Sequence, residues 1–292
     1  MKKLLRTAVG CIALFLLGTA VLAQGVVKTD AIDSKILGDE VPFNVYLPAG
    51  FQDSDAIYPV VYLLHGLSDT YEAWDQKGHM KDVVDLLINS GEIVPMVIVM
   101  PNAGHPDIRS EWNGYFNMPG WNYEDFFFRE LIPQVEKKYR CIGDKAHRAI
   151  MGLSMGGGGS TSYAQRHPDC FSSCYAMSAW LDNGEEEVGP LDGSDRLALV
   201  CRAVHDHSCL DFLRNADAAT LEQLRTVSWF FDCGDDDFLL DLSIEIHRLM
   251  RRARVHDELR VRDGVHNWEY WHTALYTALP FASRNFGGAY SI

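Results

Sequence analysis

The period of apolar and polar positions changes several times along this chain, and each change predicts an element. Val41, Phe43, Val45 and Leu47 alternate with Pro42, Asn44 and Tyr46, which predicts a strand with one face buried. With the alternation that precedes the break at Leu37-Gly38-Asp39-Glu40, residues 25–47 predict a hairpin. Pro42 inside it predicts a sheet edge, because proline cannot donate to a ladder. Residues 58–64 and 94–100 are nearly continuous apolar runs of strand length, as expected of strands buried on both faces. Similar runs lie at 149–153, 171–178 and 227–233, with a weaker one at 258–262. Helical spacing falls between them, at 80–90, 123–139, 155–166, 239–254 and 268–279. Strand and helix thus alternate from residue 58 onward. That alternation predicts an α/β fold with a mostly parallel central sheet and helices on both faces. Residues 179–225 are polar, carry Glu185-Glu186-Glu187 and show no clear period. They read as an insertion over the sheet edge within one domain spanning 24–292.

The chain has 292 residues, 47% hydrophobic and 23% charged, enough for one large domain. Its net charge of -14 argues against nucleic acid and anionic lipid as partners. Residues 1–23 stand apart. Lys2, Lys3 and Arg6 precede the apolar core at 12–17, and small residues at 21 and 23 precede Gln24. This is the pattern of a secretory signal peptide cut after Ala23, so the expected location is periplasmic or secreted, with no membrane partner after cleavage. The apolar run is shorter than the ~20 residues a span needs. Export permits disulfides, and of the six cysteines beyond the leader, Cys201 and Cys209 form the expected pair. Cys141, Cys174 and Cys233 lie in or beside strand-like runs and read as buried thiols. No C-x-x-C spacing occurs, which argues against a zinc ribbon.

In this kind of sheet, ligands gather at the carboxyl ends of the strands. The most informative end is Gly152-Leu153-Ser154-Met155-Gly156. A buried strand runs into a sharp turn that lifts a serine hydroxyl clear, and a helix begins behind it. The serine needs a base whose pKa lies near working pH, and the base needs a carboxylate to hold its tautomer. In chain order, the acid and then the histidine should follow the serine. Gly264-Val265-His266-Asn267-Trp268 follows the last strand, and Asp235, Asp236 and Asp237 follow the strand before it. Nothing in the residues themselves chooses among the three aspartates, and Asp232 is a weaker fourth. The oxyanion needs two donors. The Met155 N–H follows the nucleophile, and the Leu67 N–H lies in the loop after the first parallel strand. His205 and His207 read as solvated loop residues, since a metal site would need more ligands than they supply. No metal or organic cofactor is expected.

Leu64-His65-Gly66-Leu67, the elbow with its glycine tract to Gly159, Cys233-Gly234-Asp235-Asp236-Asp237-Phe238-Leu239, and 264–271 together resemble the esterase-D-type esterase family of the α/β-hydrolase superfamily. That family holds feruloyl and acetyl-xylan esterases, S-formylglutathione hydrolases and mycolyltransferases. The resemblance spans roughly residues 40–285 in order and implies an α/β-hydrolase fold. It implies Asp237 as the acid, three residues after the glycine of its motif, and supports Leu67 and Met155 as oxyanion donors. The tract Gly157-Gly158-Gly159 is longer in glycine than the family pattern, and the insertion at 179–225 matches none of its motifs.

Aromatic residues gather at 112–123 and 268–271, and flat rings suit sugar faces or a phenolic acyl group. Trp74, Trp112 and Trp268 are the candidates for substrate contact; Tyr270 and Trp271 read as core. Asn102, Glu111 and Asn113 rank lower as partners for sugar hydroxyls. The expected activity is an exported serine carboxylesterase acting on feruloyl or acetyl esters of plant polysaccharide. The alternatives are a thioesterase for S-formylglutathione, an acyltransferase, and an inactive carbohydrate-binding scaffold.

Overall fold

The computed structural model describes residues 23–104, 114–184 and 195–287. Most of the expected leader, Glu111, Trp112, Asn113 and the Glu185–Glu187 run lie outside these residues. The chain opens with the antiparallel pair β1 (Val26–Ser34) and β2 (Asp39–Leu47). Strand β3 (Val60–Leu64) leads through helices α1 (Ala73–Gln76) and α2 (Met80–Asn89) to β4 (Val97–Pro101). The two-residue strands β5 (Asn117–Met118) and β6 (Trp121–Asn122) form a small ribbon. A continuous helical stretch follows: α3 (Tyr123–Phe126), a π-helical turn (Phe127–Leu131) and α4 (Ile132–Lys138). Pro133 has no N–H to return to the ladder, and the wide turn lies just before it. Then come β7 (Arg148–Leu153), α5 (Met155–Arg166) and β8 (Ser173–Met177). Three short helices follow, α6 (Arg196–Asp206), α7 (Cys209–Asn215) and α8 (Ala218–Leu224). Strand β9 (Ser228–Gly234), α9 (Leu240–Arg252), β10 (Asp257–Arg262) and α10 (Trp268–Asn285) complete the fold.

Eight strands make one sheet in the order β1-β2-β4-β3-β7-β8-β9-β10. The pairs from β4 to β10 are parallel, and β2 joins them antiparallel through β4. The period-two geometry of a strand sends neighbouring residues to opposite faces. On one face Tyr62, Leu64, Ile150 and Ala176 pack with Phe126, Phe127 and Tyr163. On the other Val61, Leu63, Met151 and Met177 pack with Val83, Leu87, Leu275 and Leu279. Strands β3, β4, β7 and β8 are buried throughout, as apolar runs covered on both sides must be.

Three expectations need correction here. Pro42 does not mark the edge, which is β1. Its carbonyl accepts from Asn102 N–H at 3.2 Å, so its missing N–H faces the side where pairing with β4 has just ended. The stretch read as irregular, 179–225, contains α6, α7 and α8. The polar residues that hid their period are caps: Asp195 accepts from Leu197 and Ala198 N–H, Ser208 from Asp211 N–H, and Asp217 from Thr220 N–H. The last helix runs through Pro280 to Asn285, because Leu279, Phe281 and Ala282 on either side are buried against the sheet.

Candidate active site

Strand β7 ends at Leu153, α5 begins at Met155, and Ser154 is the whole of the turn between them. Its φ of 52° and ψ of -119° are a backbone state that costs a side-chain-bearing residue about 1–3 kcal/mol. The surroundings hold it there. Ser154 N–H donates to Met177 O at 2.9 Å, and its carbonyl accepts from Gly158 N–H at 3.0 Å and Trp180 N–H at 2.9 Å. The flanking glycines are required by space. A Cβ on Gly152 would strike the backbone of Gly156, and one on Gly156 would strike the carbonyls of Leu64 and His65. The unusual glycine tract has the same cause, since a Cβ on Gly158 would run into the carbonyl oxygen of Trp180.

His266 lies in the loop between β10 and α10, and its Nε2 is 3.0 Å from Ser154 Oγ. Its Nδ1 lies 2.9 and 3.0 Å from the two carboxylate oxygens of Asp237. A carboxylate only accepts, so Nδ1 carries the proton and Nε2 is left bare toward the serine hydroxyl. The side chain of Asp237 is 0% exposed and that of His266 18%. Burial pushes the Asp237 carboxyl up. Hydrogen bonds from His266, Leu239 N–H and Ser178 outweigh it, and the group sits below the ordinary carboxylate range.

The choice among the aspartates follows from the loops. Asp235 is used as a clamp: its Oδ1 accepts Gly264 N–H at 3.0 Å and its own N–H donates to Arg262 O at 3.0 Å. Asp236 N–H donates to Gly264 O at 3.1 Å. These bonds fasten the acid loop to the histidine loop and leave Asp237 facing the imidazole. Asp232 is buried elsewhere, accepting from Tyr175 and Tyr270 hydroxyls at 2.6 Å each and pairing with Arg260.

The loop after β3 reaches the serine. A Cβ on Gly66 would lie 3.7 Å from Ser154 Cβ, so the loop at Gly66 runs beside this serine. Met155 is the first residue of α5, where backbone N–H groups have no partner within the helix. Both nominated donor peptides thus lie next to Ser154.

The aromatic candidates fare differently. Trp74 is 0% exposed, donates its indole N–H to Leu64 O at 3.0 Å and packs edge-on against Trp268 at 5.2 Å. It is a core residue beneath the loop and offers no surface to a ligand, contrary to expectation. Trp268 is half-buried between Trp74 and Trp271. Asn102 is also committed, with Oδ1 accepting from Tyr71 N–H and Nδ2 donating to Gly104 O. His205 and His207 lie at the end of α6 rather than in an open loop; His205 Nδ1 meets Asn183 O at 2.8 Å and His207 stacks on Phe116 at 4.2 Å. The expected Cys201–Cys209 bridge is not formed: the six cysteines from 141 to 233 are thiols. Cys209 starts α7 with its sulfur turned to Gly158 O of α5 at 3.7 Å. Among the described residues no group of three or more His, Cys, Asp or Glu side chains could hold a metal ion.

Sequence reasoning passed over Phe238 and Ser178. Phe238 is 76% exposed although its ring centre is 4.5 Å from that of His266. Its position directly after the acid was a usable signal. Ser178, which follows β8 directly with a φ of 45°, helps hold the Asp237 carboxyl low, and nothing in the sequence marks it.

The family model described as "Putative esterase" matches residues 34–282. An endo-1,4-beta-xylanase/feruloyl esterase of Xylanibacter ruminicola is 34% identical over 151 residues, which are 50% of this chain and 20% of that protein. The chain therefore spans about a fifth of that relative's length. A diacylglycerol acyltransferase/mycolyltransferase Ag85B of Mycobacterium leprae is 30% identical over 264 residues, 79% of this chain and 77% of the relative. Among solved structures, a ferulic acid esterase superposes with a TM-score of 0.87 at 52% identity, covering 91% of this chain and 100% of the other. The chain belongs to this esterase family and has the α/β-hydrolase fold.

Proposed function

We propose that this protein is an exported serine carboxylesterase that removes feruloyl or acetyl groups from plant polysaccharide. The observation that carries the proposal is the alignment of Ser154 Oγ, His266 and Asp237 within 3.0 Å at each step. In the proposed reaction Ser154 Oγ attacks the ester carbonyl carbon while His266 Nε2 takes its proton. Asp237 holds the imidazole by Nδ1 and stabilises the imidazolium. The Leu67 and Met155 N–H groups bind the oxyanion. When the tetrahedral intermediate collapses, the C–O bond to the alcohol breaks and His266 returns the proton to the leaving oxygen. Water, deprotonated by His266, then attacks the acyl-serine; the bond from the acyl carbon to Ser154 Oγ breaks, His266 returns the proton to that oxygen, and the acid is released. The sequence needs neither a metal nor an organic cofactor. Trp268 and Trp112 are proposed substrate contacts.

The acyl and polymer classes rest on the relatives, of which the ferulic acid esterase at 52% identity weighs most. Export rests on the basic, apolar and small-residue order of residues 1–23. The Ag85B relative, which covers most of both chains, favours a second reading in which a sugar hydroxyl replaces the water. Rates on methyl ferulate, acetylated xylan and S-formylglutathione, with products identified, test the proposal. Release of free ferulate or acetate well above the thioester rate is expected. A preference for S-formylglutathione, or acyl transfer without release of acid, would refute it.

A further inference from the structure

His65 is 1% exposed and both ring nitrogens are engaged. Nδ1 lies 2.7 Å from the carbonyl oxygen of Gly66, and Nε2 lies 3.0 Å from the backbone nitrogen of Ala103. The partners dictate the tautomer. A carbonyl only accepts, so Nδ1 carries the proton; a backbone N–H only donates, so Nε2 is bare. Burial lowers the pKa of this imidazole, and the bond to Gly66 opposes that without overcoming it, so the ring is held neutral.

The Gly66 carbonyl and the Leu67 N–H belong to the same planar peptide unit. Fixing the carbonyl therefore fixes the direction of the N–H on its far side. Donation to that carbonyl also polarises the unit and strengthens its N–H as a donor, by about 10–30%. The neighbouring peptides are pinned as well. Tyr115 hydroxyl donates to His65 O and Trp74 indole N–H to Leu64 O, each at 3.0 Å. Leu153 packs directly against Gly66, where an added Cβ would lie 2.7 Å from Leu153 Cδ1.

We infer that His65 is a positioning residue for the ester chemistry: its neutral imidazole locks the Gly66–Leu67 peptide with the Leu67 N–H aimed at the oxyanion beside Ser154. The inference rests on the proposed role of Leu67 as a donor. It assigns the histidine a task distinct from that of His266, since His65 touches no reacting atom.

Two substitutions separate aim from packing. In His65→Asn the side-chain amide nitrogen falls near the place of Nδ1 and can still donate to Gly66 O. In His65→Gln the amide oxygen falls near the place of Nε2 and can still accept from Ala103 N–H, but the donation to Gly66 is lost. The readouts are kcat and KM on p-nitrophenyl acetate, inhibition by a trifluoromethyl ketone that mimics the tetrahedral intermediate, and Tm. His65→Gln should lose about 10–100-fold in kcat with KM nearly unchanged, and inhibitor affinity should fall in step. His65→Asn should keep most of both. Wild-type kcat in His65→Gln, or equal losses in the two variants that simply follow Tm, would overturn the inference. Failure of the underlying esterase reading would show separately, as turnover that survives Ser154→Ala.

Discussion

The indole N–H of Trp271 donates to the hydroxyl of Ser178 at 3.0 Å across 93 positions of sequence. The same hydroxyl lies near Asp237 and helps hold its carboxyl below the ordinary range, and Ser178 N–H donates to Asp232 O at 2.7 Å. The Trp271 ring also meets the His266 ring edge-on at 4.9 Å. One small side chain thus ties the last helix, the end of β8 and the acid loop together behind the site. Ser178→Ala should lower kcat by about three- to tenfold with little change in KM, since the hydroxyl helps keep the Asp237 carboxylate in its charged form. Steady-state kinetics check this, and an unchanged kcat would remove Ser178 from the account.

The aspartate run offers a sharper contrast. Asp237→Asn should cost about 10⁴ in kcat, as loss of the carboxylate leaves the imidazole in the wrong tautomer. Asp235→Asn keeps an acceptor for Gly264 N–H, and Asp236 contributes a backbone bond that its side chain does not affect. Both should stay within about threefold of wild type. A severe Asp236→Asn variant would mean that the wrong acid has been chosen.

Stability should depend on acid in two windows. Burial lowers the folded-state pKa of His65, and likewise that of His207. A lowered folded value means the contribution is complete above the ordinary 6.5 and is lost as pH falls through the folded value. For His65, the nearby Asp69 opposes this lowering and Lys77 adds to it. Asp237, raised by burial but lowered more by its hydrogen bonds, contributes fully above 3.8 and loses that contribution at lower pH. Tm should therefore be flat near pH 7, decline from about pH 6.5 downward, and fall again in strong acid. His65→Gln should show a shallower first decline. An identical slope in variant and wild type would contradict the buried neutral imidazole.

Thiol chemistry gives an independent check. With Cys201 and Cys209 not joined, the denatured protein should react with the same number of equivalents of a thiol reagent before and after reduction. Reductant should leave Tm unchanged. A gain of two thiols on reduction would show a disulfide.

The sequence was most legible where burial is greatest. Runs such as 60–64 and 149–153 are apolar because both faces of those strands are covered. The order serine, acid, histidine was legible because it is set by topology at the strand ends, whereas Asp237 within its run was singled out only by the family resemblance. What failed was local context that only tertiary structure supplies. Pro42 looked like an edge because sequence does not show where β4 stops. Helices α6 to α8 looked irregular because caps interrupt short amphipathic turns, although Asp195, Ser208 and Asp217 were readable as N-caps. Trp74 looked like a pocket wall because a loop position says nothing about which way an indole turns.

The most direct measurement is the mass of the protein during turnover of methyl ferulate, rapidly quenched, for the wild type and for Ser154→Ala. The account predicts a wild-type species heavier by one feruloyl group, with the label on the peptide containing Ser154. It predicts no adduct, and hydrolysis reduced by several orders of magnitude, in the variant. Equal turnover by the two proteins, or an adduct on any other residue, would contradict it.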